Sequence, residues 1–517
     1  MLSRPKTVAL VAGVVSALGF APLSLWPATL AALALLLALI ARATDGRRAA
    51  LLGWLFGVGH FAFGNGWIAT AFTYQAEMPV WLGWIAVVLL ALYLAVYPAL
   101  AAMGAWLLAR RAVGVPLVLA FAGLWSVTEW LRSWVFTGFV WNPLAMVTLG
   151  PFARPGLAAL APWLGTYALS ALVVVLAGCW WLAFGARGNA ARLALIIAPI
   201  AALIVPMLRS PAPEPGTLAF TLIQPNVPQD ELTDPTKFEG QFRRTAALSV
   251  PRQAGERRLV LWPESGVPDY LRPGYPQAAY EGTTFAADPK LARQRIGRVI
   301  GPGSLLLTGA VDLAMRDGRI AAADNAVTAL DGDGRIRAGY AKAHLVPYGE
   351  YLPMRSLLEP IGLSRLVAGT IDFRSGPGPR TLDLRPWGRI GVQICYEIIF
   401  SGQVVERGNR PDFLFNPSND GWFGRFGPPQ HLAQARLRAI EEGLPVLRAT
   451  TTGISGVIDA NGVVRAALPR HRPGRLDGVV PRAHPATQFA RMGNALALGW
   501  ALALLALSSV ALRRRRR

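Results

Sequence analysis

Eight stretches of this chain are apolar over a length that crosses, or nearly crosses, a lipid bilayer. They fall at about 7–22, 24–41, 50–72, 80–108, 115–131, 161–184, 191–208 and 491–512. In hydrocarbon every backbone N–H and C=O must find a partner within the protein, so such stretches fold as helices. The chain is thereby restricted to a helical membrane part plus whatever its one long interruption, 210–490, can build. The first run has the length of a secretory signal. However, Gly19-Phe20-Ala21-Pro22 leads straight into the second run, so it reads as an uncleaved helix in a tight hairpin with its neighbour.

Charge gives these runs a direction. Hydrophobic residues make up 53% of the 517 residues and charged ones 16%, a balance that excludes an ordinary soluble enzyme. The formal charge of +21 invites a nucleic-acid reading, but the arginines flank apolar runs and five of them form the tail Arg513 to Arg517. That is a topology signal, and no nucleic-acid partner is expected. Arg4 and Lys6 precede the first run. Arg42, Arg47 and Arg48 follow the second, Arg110 and Arg111 the fourth, and Arg187 and Arg192 the sixth. The short alternate loops carry only Arg132 and Arg154. The positive-inside rule then predicts about eight crossings, both termini in the cytoplasm and 210–490 on the opposite face. The expected division is a helical part over 1–209, a catalytic domain over 210–490, and a last span with basic tail over 491–517.

The interruption is written for water. Pro211, Pro213 and Pro215 mark a linker. Short apolar strands are expected at 218–223, 259–262, 305–310, 326–330, 390–395 and 413–416. Asp317-Gly318 and Asn461-Gly462 suit hairpin turns. A helix is expected at 430–442, stopped by Gly443 and Pro445. Strands mixed with helices indicate an α/β or α+β domain. The cysteines are Cys179, in an apolar run, and Cys395; the histidines are scattered without metal-ligand spacing, so neither metal nor cofactor is expected.

Three motifs in this domain carry chemistry: Trp262-Pro263-Glu264, Tyr340-Ala341-Lys342-Ala343-His344 and Gly391-Val392-Gln393-Ile394-Cys395-Tyr396-Glu397. Thiolate is the nucleophilic form of cysteine, and at neutral pH a free thiol is mostly protonated. A carboxylate beside it can take its proton and return it to a leaving group. An ammonium can stabilise the oxyanion of an acyl-transfer intermediate. Each residue alone suits packing or a solvated surface; the set in this order is specific.

The three motifs resemble the nitrilase superfamily of carbon–nitrogen hydrolases over roughly 217–480. The resemblance narrows at His344-Leu345-Val346-Pro347-Tyr348-Gly349-Glu350-Tyr351, at Asn416 to Gly424 and at Gln430 to Pro445. With apolar runs on both sides, and with Gly138-Phe139-Val140-Trp141 in the helical part, the chain resembles the apolipoprotein N-acyltransferase family. That resemblance implies a nitrilase-like αββα sandwich joined to a polytopic helical domain in the cell inner membrane, with the sandwich on the periplasmic side. It implies that Cys395 takes the sn-1 acyl chain of a phospholipid, with phosphatidylethanolamine as the expected donor, as a thioester. The acceptor is the N-terminal amine of a diacylglyceryl-cysteine on an apolipoprotein. Glu264 is then base and acid, Lys342 serves the oxyanion, Glu350 supports Lys342, and Tyr396 and Glu397 shape the pocket. The pattern departs after Gln224-Pro225-Asn226-Val227-Pro228-Gln229, where the family often has a tryptophan and this chain has none before Trp262.

Other residues have two readings. Trp422 and Phe423 read equally as core or as the lining of an acyl entrance, and Trp141 joins them as a supporting residue. His344 and His431 read as structural, because the triad already supplies a base. The mixed apolar and basic stretch 352–366 reads as an ordinary surface helix-loop or, beside a bilayer, as an interfacial lid, the preferred reading. Glu129 and Arg132 pair one turn apart, anchoring a helix or meeting a headgroup. The alternative function is a membrane-tethered amidase or nitrilase that uses water as second nucleophile.

Overall fold

The computed structural model describes residues 4–74, 79–361 and 372–514. Each apolar run carries a helix. Leu82–Ala109, Leu157–Ala183, Asn189–Leu208 and Asn494–Arg514 are long and apolar enough to cross a membrane. Pro5–Ala17 and Trp26–Ala41 are shorter and form the expected hairpin. Gly46–Gly64 and Val115–Arg132 complete the packed group. Small residues let helices approach: a Cβ on Gly13 would meet the Phe56 carbonyl oxygen at 2.0 Å. Leu157–Ala183 is broken at Gly165, whose φ of +69° frees the N–H of Thr166 for a partner outside the helix.

The segment between the last two long helices folds as twelve strands. They are β1 (Pro215–Gln224), β2 (Leu259–Leu261), β3 (Leu305–Arg316), β4 (Arg319–Asp331), β5 (Ile336–Ala341), β6 (Thr381–Asp383), β7 (Arg389–Val392), β8 (Phe413–Ser418), β9 (Val446–Thr450), β10 (Ser455–Ile458), β11 (Val464–Leu468) and β12 (Gly474–Pro481). One sheet has the order β12-β1-β2-β3-β4-β5 and the other β11-β10-β9-β8-β7-β6. Their facing sides share one core, with Leu222, Leu259, Leu261 and Leu307 against Val392, Phe413, Phe415 and Leu447. The outer side of the first sheet packs Val260, Leu306 and Leu330 on Phe242 of the helix Phe238–Ser249 and Ile296 of the helix Pro289–Ile300. A strand buried on both faces needs an unbroken apolar run, which Leu259-Val260-Leu261 supplies.

The Asp317-Gly318 hairpin forms as expected, with both residues at positive φ and Arg316 opposite Arg319. The helix expected from 430 starts earlier, at Gly427, because Pro428 and Pro429 fit its first turn; Gly443 ends it in the left-handed conformation. The strand expected over 390–395 stops at Val392. Cys395 has a φ of +50°, which no pleated strand accommodates, and it opens a tight turn, Cys395–Ile399. The lid candidate 352–366 lies partly outside the described residues; within them is a short helix, Arg355–Leu358, with Leu357 exposed.

The helix Gly427–Glu442 is the contact layer between sandwich and membrane helices. Arg436 donates to the carbonyls of Gly150, Pro151 and Arg154. Glu441 accepts from the N–H and hydroxyl of Thr166 at 2.5 and 2.6 Å. Trp141 Nε1 donates to Gln430 at 2.8 Å.

Candidate active site

Glu264 follows β2 and Lys342 follows β5; β3 and β4 lie between these strands, but both run the same way, so one end of the sheet delivers both residues. Gly309 of β3 passes under Glu264 so closely that a Cβ there would sit 1.6 Å from the Glu264 carbonyl oxygen. Lys342 Nζ lies 2.9 Å from Glu350 Oε1 and 3.3 Å from Glu264 Oε1. Asn325 of β4 donates to the same two oxygens, at 2.7 and 2.8 Å. The second oxygen of Glu264 accepts the Asn419 N–H at 2.7 Å, and that of Glu350 accepts the Val346 N–H at 2.8 Å.

Cys395 comes from the other sheet and is buried. Burial, and then the Glu264 carboxylate, push its thiol well above the ordinary cysteine value; Lys342 and the Asn419 N–H pull the other way. At neutral pH the thiol therefore keeps its proton and needs a base at the moment of attack. Burial would lower Lys342, but Glu350 and Glu264 outweigh it and hold the ammonium charged. A partly exposed carboxylate, a buried ammonium and a buried neutral thiol are the parts for attack on a carbonyl carbon with the oxyanion met by a fixed charge.

The supporting residues divide. Glu350 joins the cluster directly. Glu397 does not touch it; its carboxylate accepts from the Tyr340 hydroxyl and the N–H groups of Ala343, His344 and Ile394, so it ties the Lys342 segment to the Cys395 turn. Burial lifts its pKa to about 7 against the pull of those donors. Tyr396 points to the helical part: its hydroxyl donates to the Gly138 carbonyl at 3.0 Å, and its ring meets Phe139 and Phe400. Trp141 and Phe423 pack with Trp67 and His431 in one aromatic cluster, while Trp422 meets Tyr74 edge-on. His344 stacks on Phe400, as a structural residue would.

The family model described as "Apolipoprotein N-acyltransferase N-terminal domain" matches residues 12–180, and "Carbon-nitrogen hydrolase" matches 222–482. An apolipoprotein N-acyltransferase of Rhodopseudomonas palustris is 34% identical over 95% of this chain and 92% of its own length. Those of Bradyrhizobium diazoefficiens and Shewanella oneidensis are 35% and 32% identical, over 94% of this chain and 91% and 92% of theirs. This chain belongs to the apolipoprotein N-acyltransferase family. It is an acyltransferase and a membrane protein. Among solved structures, a carbon–nitrogen hydrolase of Helicobacter pylori is similar at 14% identity and a TM-score of 0.35, covering 50% of this chain and 88% of that one.

The sequence did not single out Asn325 or Arg448, and it marked Asn419 and Asp420 only as part of the stretch Asn416 to Gly424, without a role. Asn325 stands beside Asp324 in an alanine-rich strand, and Arg448 sits between apolar residues of β9. A lone polar group inside a buried strand, as Arg448 is, signals a specific partner, because burying it unpaired costs about 1–3 kcal/mol.

Proposed function

We propose that this family member transfers an acyl chain from a phospholipid to an apolipoprotein through a thioester on Cys395. The reading is carried by one observation: Lys342 bridges Glu264 and Glu350 beside a buried thiol whose titration Glu264 and Lys342 both bear on. Cys395 Sγ bonds to the ester carbon while Glu264 takes the thiol proton. The carbonyl electron pair moves to oxygen, where Lys342 balances it. Collapse expels the lysophospholipid alkoxide, which takes the proton back from Glu264. The acceptor amine repeats the sequence on the thioester.

The finer assignments belong to the same proposal. The donor is the sn-1 ester of phosphatidylethanolamine, and the acceptor is the α-amine of an S-diacylglyceryl-cysteine. The helical part covers 1–209, the catalytic domain 210–490 and the last span 491–517, with about eight crossings. The termini lie in the cytoplasm and the sandwich on the periplasmic face of the inner membrane, supported by the arginine pattern. Trp141, Trp422 and Phe423 border the acyl path.

Intact-mass measurement after incubation with phosphatidylethanolamine vesicles tests the reading. The expected result is one acyl mass added to the wild type, none added to Cys395→Ala, and its removal by a diacylglyceryl peptide amine. An adduct that persists in Cys395→Ala refutes the assignment. Release to water alone, with the amine ignored, makes the protein a hydrolase.

A further inference from the structure

The acyl-transfer steps make no use of His431, yet its imidazole is fully buried directly behind the nucleophile. Its Nε2 lies 3.0 Å from the carbonyl oxygen of Cys395 itself. A carbonyl oxygen only accepts, so Nε2 carries a proton. Nδ1 faces an ion pair, 3.0 Å from Asp420 Oδ1 and 2.9 Å from Arg448 Nη2. Burial and the Arg448 charge keep the ring neutral, so Nδ1 accepts from Arg448. Arg448 donates in turn to both oxygens of Asp420, to Ser418 Oγ at 2.8 Å and to Asn416 Oδ1. Asn416 donates to the Gln393 carbonyl at 2.6 Å, two residues before the nucleophile. Moving such an ion pair out of water costs several kcal/mol per ion before compensation. A network of this kind calls for a reason.

Cys395 supplies one. A left-handed backbone costs an L-residue about 1–2 kcal/mol and persists only where the surroundings impose it. The trans peptide between Cys395 and Tyr396 is planar, so its C=O and N–H point in opposite directions. Whatever grips the carbonyl also aims the N–H.

We propose that His431 is a positioning residue: by holding the Cys395 carbonyl it turns the Tyr396 N–H toward the oxyanion of the tetrahedral intermediate, as a second donor beside Lys342. Arg448, itself held by Asp420, fixes the imidazole and its tautomer. The inference rests on Cys395 being the nucleophile. The covalent step is unchanged from that given above; His431 neither gains nor loses a proton in it.

Two reagents separate this role from plain support of the fold. Iodoacetamide alkylates a thiol without forming an oxyanion, whereas a short activated ester acylates it through one. Full-length protein in detergent would be labelled with each, and Cys395 labelling followed by mass spectrometry. His431→Ala should slow acylation about a hundredfold, the typical loss for one oxyanion donor, with alkylation near the wild-type rate. His431→Gln can offer an amide N–H to the same carbonyl and should recover part of the acylation rate. Equal losses with both reagents, or unchanged acylation, overturn the proposal. If His431→Ala does not accumulate as folded protein, the acylation-to-alkylation ratio decides it in Asp420→Asn. That variant loses the anchoring charge and should lower the ratio; an unchanged ratio overturns the idea. Absence of wild-type labelling on Cys395 by either reagent would instead defeat the nucleophile assignment.

Discussion

The two sheets contribute to the site in different ways. The sheet that contains β2, β4 and β5 delivers Glu264, Asn325 and Lys342, whose side chains meet one another and Glu350. The sheet that contains β7, β8 and β9 delivers Cys395, Asn416 and Arg448, and the polar groups around the thiol act largely on backbone. Asn416 holds the Gln393 carbonyl, His431 holds the Cys395 carbonyl, and the Asn419 N–H holds Glu264. One half sets charge and the other sets shape. The charge half should therefore respond to changes that keep shape and remove charge. The shape half should fail on truncation and recover in part where a replacement offers the same hydrogen bond.

The largest expected effect is in the charge half. Lys342→Ala removes the oxyanion partner and leaves Glu264 and Glu350 facing each other without a cation. Single-turnover acylation should fall at least about a hundredfold. A loss below tenfold would move the oxyanion duty elsewhere. Glu264→Gln should lower acylation about a hundredfold or more, as removal of a general base does. Its effect on alkylation should have the opposite sign. The nearby carboxylate helps hold the thiol protonated, so removing that charge shifts the alkylation profile to lower pH and speeds alkylation at neutral pH. Lys342→Ala should shift the same profile to higher pH. In the wild type, alkylation should keep rising beyond about pH 8.5, where an ordinary cysteine levels off. Iodoacetamide rates across pH on the three proteins check all of this, and a common profile would mean that neither charge acts on the thiol.

The smallest expected effect belongs to the join with the helical part. Tyr396→Phe removes a hydroxyl from the Gly138 carbonyl and keeps the ring on Phe139 and Phe400. One such hydrogen bond contributes about 0.5–1.5 kcal/mol, so acylation should fall no more than about tenfold, equally for a bilayer donor and a soluble ester. A loss confined to the bilayer donor would show that Tyr396 serves lipid access and not the setting of the turn.

How far the sequence revealed this arrangement depends on how local the cause was. Gly443, Asp317-Gly318 and the run 259–261 act over a few residues, and each formed what it foretold. The end of β7 could not be read, because Cys395 turns left-handed among distant partners such as His431, thirty-six positions on. The helix Gly427–Glu442 was legible as a helix but not as a buried one. Its Gln430, His431, Gln434, Arg436, Arg438, Glu441 and Glu442 are spaced like a solvated face. They are buried because sheet and membrane helices close on them from both sides. The short edge strand β6, by contrast, has only a three-residue run to announce it.

The pairing of β1 with β12 reaches beyond the site. Pro215 lies opposite Pro481, so the chain enters and leaves the sandwich at one point. Paired antiparallel residues sit about 5 Å apart, a distance that a short turn spans. In topological terms the twelve-stranded domain is an excursion between two membrane helices. Chain joined directly from 214 to 482 would barely disturb the ends it connects. One contiguous excursion thus carries the whole sandwich, and the two helices it joins would meet without it.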